Sequence, residues 1–403
     1  MTFTGHAPGS REYRRLIVGL FFAGIATFAQ LYSAQAVLPQ ISTDLGVSPA
    51  TAALSVSAAT LGLALAVIPW SLVADRIGGV PAMATGVLTA TVFGLSAPLS
   101  GEIAVLLALR FAEGMALGAV PAVALAYLSE EVQARHAATA AGSYIAGTTV
   151  GGLLGRIGSG IVGEAGGWRA GILFVAVMCA AAAVLFLWLT PRARGFVPGR
   201  LRAGSGPGIL ERLRSPWASP TQWALYAQGF LLMGAFVAVY NYLGFHLAGD
   251  PFGLPVWLVT LLFLAYLAGT VSSPWAGAIA SRIGRLPVLL GSIAVMTAGA
   301  ALLLVPLALV VLIGLVLFTA GFFGAHAIAS GWTPVAAEPT SRAQASSLYY
   351  FAYYAGSSLF GWLLGLVFGG ASWGWFVAVI VTMCVGAAVA AVSALRTAPT
   401  GRV

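Results

Sequence analysis

The sequence is short of almost everything a soluble protein turns toward water. Charged residues fill 7% of its 403 positions, against about 25% in soluble domains. Lysine is missing: the nineteen basic residues are all arginine, and the acids number eleven. Cysteine occurs twice, at Cys179 and Cys384, each inside an apolar run. Two isolated thiols suggest neither a disulfide framework nor a metal site. Only one long polar stretch exists, residues 191–219, "PRARGFVPGRLRAGSGPGILERLRSPWAS". No nucleophile–base set and no paired metal ligands stand out, so neither an enzyme nor a cofactor is expected. What remains is apolar: 60% hydrophobic residues with 51 glycines. Runs long enough to cross a bilayer, which takes about 20 residues, follow one another from Leu16 to Leu395. The abundant glycine suits helices that pack closely in lipid.

The pattern predicts an all-α membrane protein with twelve spans, at 16–40, 50–73, 80–99, 104–128, 137–163, 169–190, 220–247, 255–280, 286–306, 308–333, 342–369 and 371–395. The start, with Arg11, Arg14 and Arg15 before an apolar run ending Ala34-Gln35-Ala36, has features of a signal peptide. Its run is too long for one, and it reads as a retained first span. With the N-terminus cytoplasmic, every arginine falls in an inside segment except Arg169, at an outer helix start, and Arg110 and Arg156, within helices. That asymmetry is the positive-inside pattern. It places both termini in the cytoplasm and accounts for the net charge of +8 without nucleic acid as a partner. Residues 1–190 and 220–403 read as two six-helix bundles. Residues 191–219 read as a flexible cytoplasmic linker whose arginines meet anionic lipid headgroups, with a short helix near 209–213.

The chain repeats itself. "DRIGGVP" at 75–81 returns as "SRIGRLP" at 281–287. Displaced by about 205 residues, Tyr144 meets Tyr349, Gly151 meets Gly356, Trp168 meets Trp373 and Cys179 meets Cys384, while Pro69-Trp70 meets Pro274-Trp275. Twelve helices built from two parallel repeats is the plan of a secondary transporter that handles its substrate near midplane.

On these residues the chain resembles the major facilitator superfamily. The stretch from Ser71 to Gly79 is similar to that family's loop signature, Gly-x-x-x-Asp-Arg-x-Gly followed by basic residues. It departs at Ser71 and at Gly79-Val80, and the second copy keeps Gly277 and Arg285 with Ser281 in the Asp position. The segments "RFAEGMALGAVPAVALAYLSEE" (110–131), "YIAGTTVGGLLGR" (144–156), "YNYLGFHL" (240–247) and "GFFGAHAIASGW" (321–332) resemble the drug–proton antiporter branch, near the arabinose-efflux-like exporters. The resemblance implies alternating access and proton-coupled efflux of a small organic molecule (drug-like, sugar-like or an organic anion) from a bacterial inner membrane, by a protein expected to be a monomer. The competing reading is a proton symporter or uniporter that imports a sugar or organic acid. The resemblance also makes Asp75, Arg76, Arg282 and Arg285 gating-loop residues, with the start of the eleventh span and Arg342 as partners for Asp75.

Proton coupling needs an ionisable group inside the membrane. Among the acids only Glu113 lies clearly within a span, with Arg110 three residues away on the same helical face. A charge at a helix centre costs about 2.5–3.5 kcal/mol on insertion scales. The pair is therefore either a proton site, with Arg110 favouring the charged carboxylate, or a neutral ion pair that packs. Arg156 reads either as reaching outward along a helix surface or as attracting an anion. Tyr32, Gln35, Tyr240 and Asn241 fall in the outer halves of their spans and are candidate cavity residues. Tyr242 and His246 suit an interfacial belt. His326 reads as a helix-to-helix hydrogen bond or a second proton relay. Tyr350 and Tyr353, in a tyrosine-rich eleventh span, read as an aromatic wall or as core. Gly147, Gly151, Gly155, Ser159 and Gly163 recur every fourth residue, a spacing for close helix contact.

Overall fold

A computed structural model describes residues 5–133, 136–191, 193–196, 216–217, 219–338 and 341–396. Most of the 191–219 stretch, with the short helix expected near 209–213, lies outside the described residues. The first span is α1 (Arg11–Leu31) and α2 (Leu38–Asp44), separated by a turn and a 3₁₀ segment at Gln35–Val37. Then come α3 (Pro49–Ile77), α4 (Gly79–Ser96), α5 (Ile103–Leu117), α6 (Ala119–Glu131) and α7 (Ala137–Leu189). After the linker follow α8 (Pro220–Ala227), which runs through a π-helical segment into α9 (Met233–Ala248), then α10 (Val256–Leu261) and α11 (Leu267–Ile283). The series closes with α12 (Arg285–Leu302), α13 (Ala308–Ala336), α14 (Arg342–Gly370) and α15 (Trp373–Ala394). Among the described residues, eleven helical segments are long and apolar enough to cross a membrane. The longest, α7, breaks at Gly167 (φ 77°) and supplies two spans, which makes the twelve expected. The sequence reading ends one span at 163 and begins the next at 169, and the non-helical Gly167 falls between them.

Helix starts follow local chemistry. Ser10 accepts a hydrogen bond from Tyr13 N at 3.1 Å ahead of α1, and Ser372 accepts from Trp375 N at 3.4 Å ahead of α15, each satisfying an orphan amide. The repeated Arg-Ile-Gly phrase is a turn. Gly78 and Gly284 close α3 and α11 with φ 94° and 93°, a conformation essentially reserved for glycine. Pro81 and Pro287 then sit in the first turns of α4 and α12, where a missing amide costs nothing. Alanine at either glycine should cost about 1–3 kcal/mol of backbone strain. A lowered melting midpoint of the detergent-solubilised protein would report it, with Gly277→Ala, which meets nothing within 4 Å, as the control.

By internal contacts the chain forms two compact units: Met1–Val47 with Ala58–Gly206, and Ser48–Ser57 with Pro207–Val403. The opening turns of α3 thus group with the second unit, where the Ser358 hydroxyl donates to Ser57 O at 2.8 Å. In unit 1, α1 lies against α7 along the glycine row: a Cβ on Gly151 would stand 2.6 Å from Ile25 Cα, and one on Gly147 or Gly155 would collide with the backbone of Phe21 or Ala29. The outer ends are tied by Asp44, which accepts from Trp168 Nε1 at 2.9 Å and pairs with Arg169. In unit 2 the repeat-related Trp373 donates to Leu303 O at 2.8 Å and stacks on His246 at 4.1 Å between ring centroids. Phe236 forms the heart of unit 2, with Tyr240, Phe318 and Phe322 around it. Both cysteines are buried and free.

Candidate functional site

The site in unit 1 grows from a helix end. When α1 stops at Leu31, its last carbonyls lose their helical partners, and in a bilayer each unsatisfied backbone group costs several kcal/mol. Arg110, on α5, answers them. Its guanidinium donates to Gln30 O at 3.1 Å, to Leu31 O at 2.6 Å and to the Ser33 hydroxyl at 3.4 Å. A cation there also opposes the negative end of the helix dipole. The same guanidinium pairs with Glu113, one turn on along α5, and both side chains are wholly buried. Helix α4 closes the pair in: a Cβ on Gly94 would stand 2.8 Å from Glu113 Oε1 and from Gln30 Cδ. Gln30 itself donates to Ala90 O at 2.5 Å. The charge is therefore held between three helices and out of the acyl chains.

The turn beyond α1 carries the next group. Arg156, on α7, donates to Gln35 Oε1 at 2.6 Å and to Gly152 O at 2.7 Å. Its guanidinium lies 3.9 Å from the Tyr32 ring centroid, a cation–π contact worth about 2 kcal/mol when desolvated. Arg156 is 2% exposed, so it sits inside the bundle and does not reach to the interface. Tyr32, Gln35, Arg110, Glu113 and Arg156 thus gather at one break in the first span. The sequence reading passed over Gln30, Ser33 and Gly94. Gln30 alone gave a signal, as a polar residue deep in an apolar run.

In unit 2, the Tyr240 hydroxyl shares a hydrogen bond with Thr319 at 2.8 Å, tying α9 to α13. Asn241 donates to Gly361 O at 3.3 Å, and Tyr242 donates to the same oxygen at 2.7 Å. Tyr242 is fully buried, an interior residue in place of the interfacial one expected, because Gly365, where a Cβ would collide with the Tyr242 hydroxyl, leaves room for it to reach the α14 backbone. His326 Nδ1 and the Tyr349 hydroxyl lie 2.9 Å apart, a bond from α13 to α14. Tyr350 and Tyr353 flank the imidazole at 6.3 and 4.8 Å between ring centroids.

Asp75, Arg76 and Arg282 are exposed in the last turns of α3 and α11, and Arg285 is half-buried at the start of α12. Glu131 was legible only as a helix end. It is fully buried, and one carboxylate oxygen accepts from Arg194 N at 2.7 Å and Gly195 N at 2.6 Å. His6 approaches the other oxygen at 3.7 Å. The carboxylate so gathers the N-terminal segment and the chain leaving α7 at the end of α6. An apolar cleft of about 440 Å³ opens between α3, α4 and α5, with Leu65, Trp70, Phe93 and Met115 on its walls. It holds none of the candidate groups.

Residues 20–361 match the sequence model of the Major Facilitator Superfamily. The uncharacterized MFS-type transporter YybF of Bacillus subtilis is 35% identical over 366 residues, which cover 91% of this chain and 89% of the relative. The inner membrane transport protein YnfM of Escherichia coli is 38% identical over 377 residues, covering 94% and 89%. Among solved structures, a bacterial homologue of the human lysosomal transporter Spinster aligns with a TM-score of 0.77 at 19% identity, over 96% of this chain and 98% of that one. That last likeness is one of fold.

Proposed function

Because the chain belongs to the Major Facilitator Superfamily and is a secondary transporter of the membrane, we propose that it exports a small organic molecule in exchange for protons, with Glu113 as the proton carrier. The observation behind this reading is the buried Arg110–Glu113 pair on the carbonyls that end α1. While Glu113 is charged, Arg110 is shared between a carboxylate and the helix end. A proton on Glu113 removes the ionic half of that sharing and changes the hold on the break at Tyr32–Gln35. The same break carries Arg156 through Gln35 and Tyr32, so a cargo at Arg156 and a proton at Glu113 act on one hinge. Arg110, Glu113 and Arg156 together leave one positive charge, which favours an anionic or zwitterionic cargo. The quoted segments from 110–131, 144–156, 240–247 and 321–332 favour the drug–proton antiporter branch. Asp75, Arg76, Arg282 and Arg285 act as the gating loops of the two repeats. The arginine distribution favours cytoplasmic termini, and in this reading the protein works as a monomer.

Purified protein in liposomes, under an imposed pH gradient, tests the reading against a panel of drugs, sugars and organic anions. Export predicts solute movement opposite to protons. Movement in the same direction would make the protein an importer, and indifference to the gradient would remove proton coupling.

A further inference from the structure

The transport reading leaves the character of the cargo open, and the α13–α14 face of unit 2 bears on it. His326, Tyr350 and Tyr353 form an aromatic cluster, with Phe322 stacked along the imidazole at 5.9 Å and 11° and the two tyrosine rings 6.2 Å apart. Structural packing accounts for Tyr349, which is buried and bonded to His326 Nδ1. It does not account for Tyr350 or for Nε2 of His326. Tyr350 is 42% exposed. Among the described residues its hydroxyl makes no hydrogen bond, and His326 bonds only through Nδ1, leaving Nε2 unmatched. Tyr350 and Tyr353 stand eight and eleven residues into α14, about 12 and 16 Å along the helix. At that depth, inside the span, an unmatched polar atom is costly unless a ligand or water meets it. The charge balance is equally specific. The acids described in unit 2 are Asp250 and Glu338, both beyond helix ends, and no Asp or Glu lies within α8 to α15. An organic cation would find rings there but no counter-ion.

Resting on the transport reading, we propose that this cluster is the wall that receives the cargo, and that the cargo is a planar aromatic molecule, neutral or acidic, with a hydrogen-bonding substituent. The rings of Tyr350 and Tyr353 take its π face by stacking. His326 Nε2 and the Tyr350 hydroxyl take its substituent.

Equilibrium binding of radiolabelled salicylate to the full-length protein in nanodiscs, at fixed pH and without a gradient, tests this. We expect saturable binding. Unlabelled benzoate should displace it at a concentration about tenfold or more below that of cyclohexanecarboxylate, which has similar size but no π face. Tyr350→Leu and Tyr353→Leu should each weaken binding about three- to tenfold, the scale of one aromatic contact, and Tyr350→Phe should weaken it less than Tyr350→Leu. Gel-filtration profiles check that the variants fold, and the wild-type displacement ratio needs no variant. Absent saturable binding, equal displacement by the two acids, stronger displacement by tetraphenylphosphonium than by benzoate, or unchanged binding in the folded leucine variants would overturn the proposal. Glu113→Gln keeps the two readings apart. If it still binds salicylate saturably, with whatever change in affinity the lost proton site brings, but loses pH-driven transport, both stand. Should pH-driven transport of another solute persist without salicylate binding, only the aromatic assignment falls.

Discussion

Leucine at position 110 should cost unit 1 about 3–5 kcal/mol, the penalty for stranding one charge of a buried pair. The wild-type carboxylate of Glu113 has Arg110 as its ion-pair partner, and both are closed off from solvent. The variant also removes the Arg110 donors from Leu31 O and from Gln30 O, of which Gln30 O keeps the amide and hydroxyl of Ser33. Glu113→Leu should be costly for the mirror reason, but less so, because Arg110 keeps both carbonyls. The double variant, leucine at both positions, should be more stable than the sum of the single losses implies, yet short of wild type, because Leu31 O loses its Arg110 donor. The measurement is a double-mutant cycle on melting midpoints and monodisperse yield. A coupling near zero would mean that the two residues do not act as a pair.

A second large loss is expected at the glycine row of α7. Leucine at Gly151 would place a Cβ 2.6 Å from Ile25 Cα, and leucine at Gly155 would strike the backbone of Ala29. The obstacle in each case is main chain, which cannot swing aside as a side chain can. Overpacking in a tight core typically costs about 1–3 kcal/mol and occasionally more. Here the contact between α1 and α7 also positions the break that carries the site, so Gly151→Leu should yield little folded protein. Gly142→Leu, on the same helix with nothing within 4 Å of its Cβ, should express as wild type does. Equal yields from the two would show that the helices can part without loss.

The spans were legible because lipid imposes one simple rule, a long apolar run for each crossing, and the chain obeys it throughout. The repeated phrase was legible too, and Gly78 and Gly284 supply its physical reason in their shared positive φ. The break after Leu31 was passed over, though the sequence carries one sign of it. Residues 32–37, "YSAQAV", contain neither glycine nor proline, and the one local sign of a break is Pro39, in the first turn of α2, which cannot donate to Gln35 O. What holds the broken ends is tertiary and out of sight of local sequence: Arg110 and Arg156 supply, from α5 and α7, partners for the groups at the break. Glu131 was hidden for a similar reason. Nothing near it in sequence distinguishes it from Glu130, and its partners are His6, Arg194 and Gly195, distant along the chain. In the eleventh span, tyrosines at 349, 350, 353 and 354 point to successive faces. Only the packing of α14 on α13 separates Tyr349, bonded to His326, from Tyr350, left open.

The central claim is that Glu113 exchanges a proton during transport, and one comparison tests it most directly. Wild type and Glu113→Gln are reconstituted into liposomes with the solute that shows saturable exchange in the screen of drugs, sugars and organic anions. Each is assayed for solute counterflow without a gradient and for accumulation driven by an imposed pH gradient. The account predicts that Glu113→Gln retains counterflow and loses gradient-driven accumulation. Gradient-driven accumulation at the wild-type level in Glu113→Gln would contradict it.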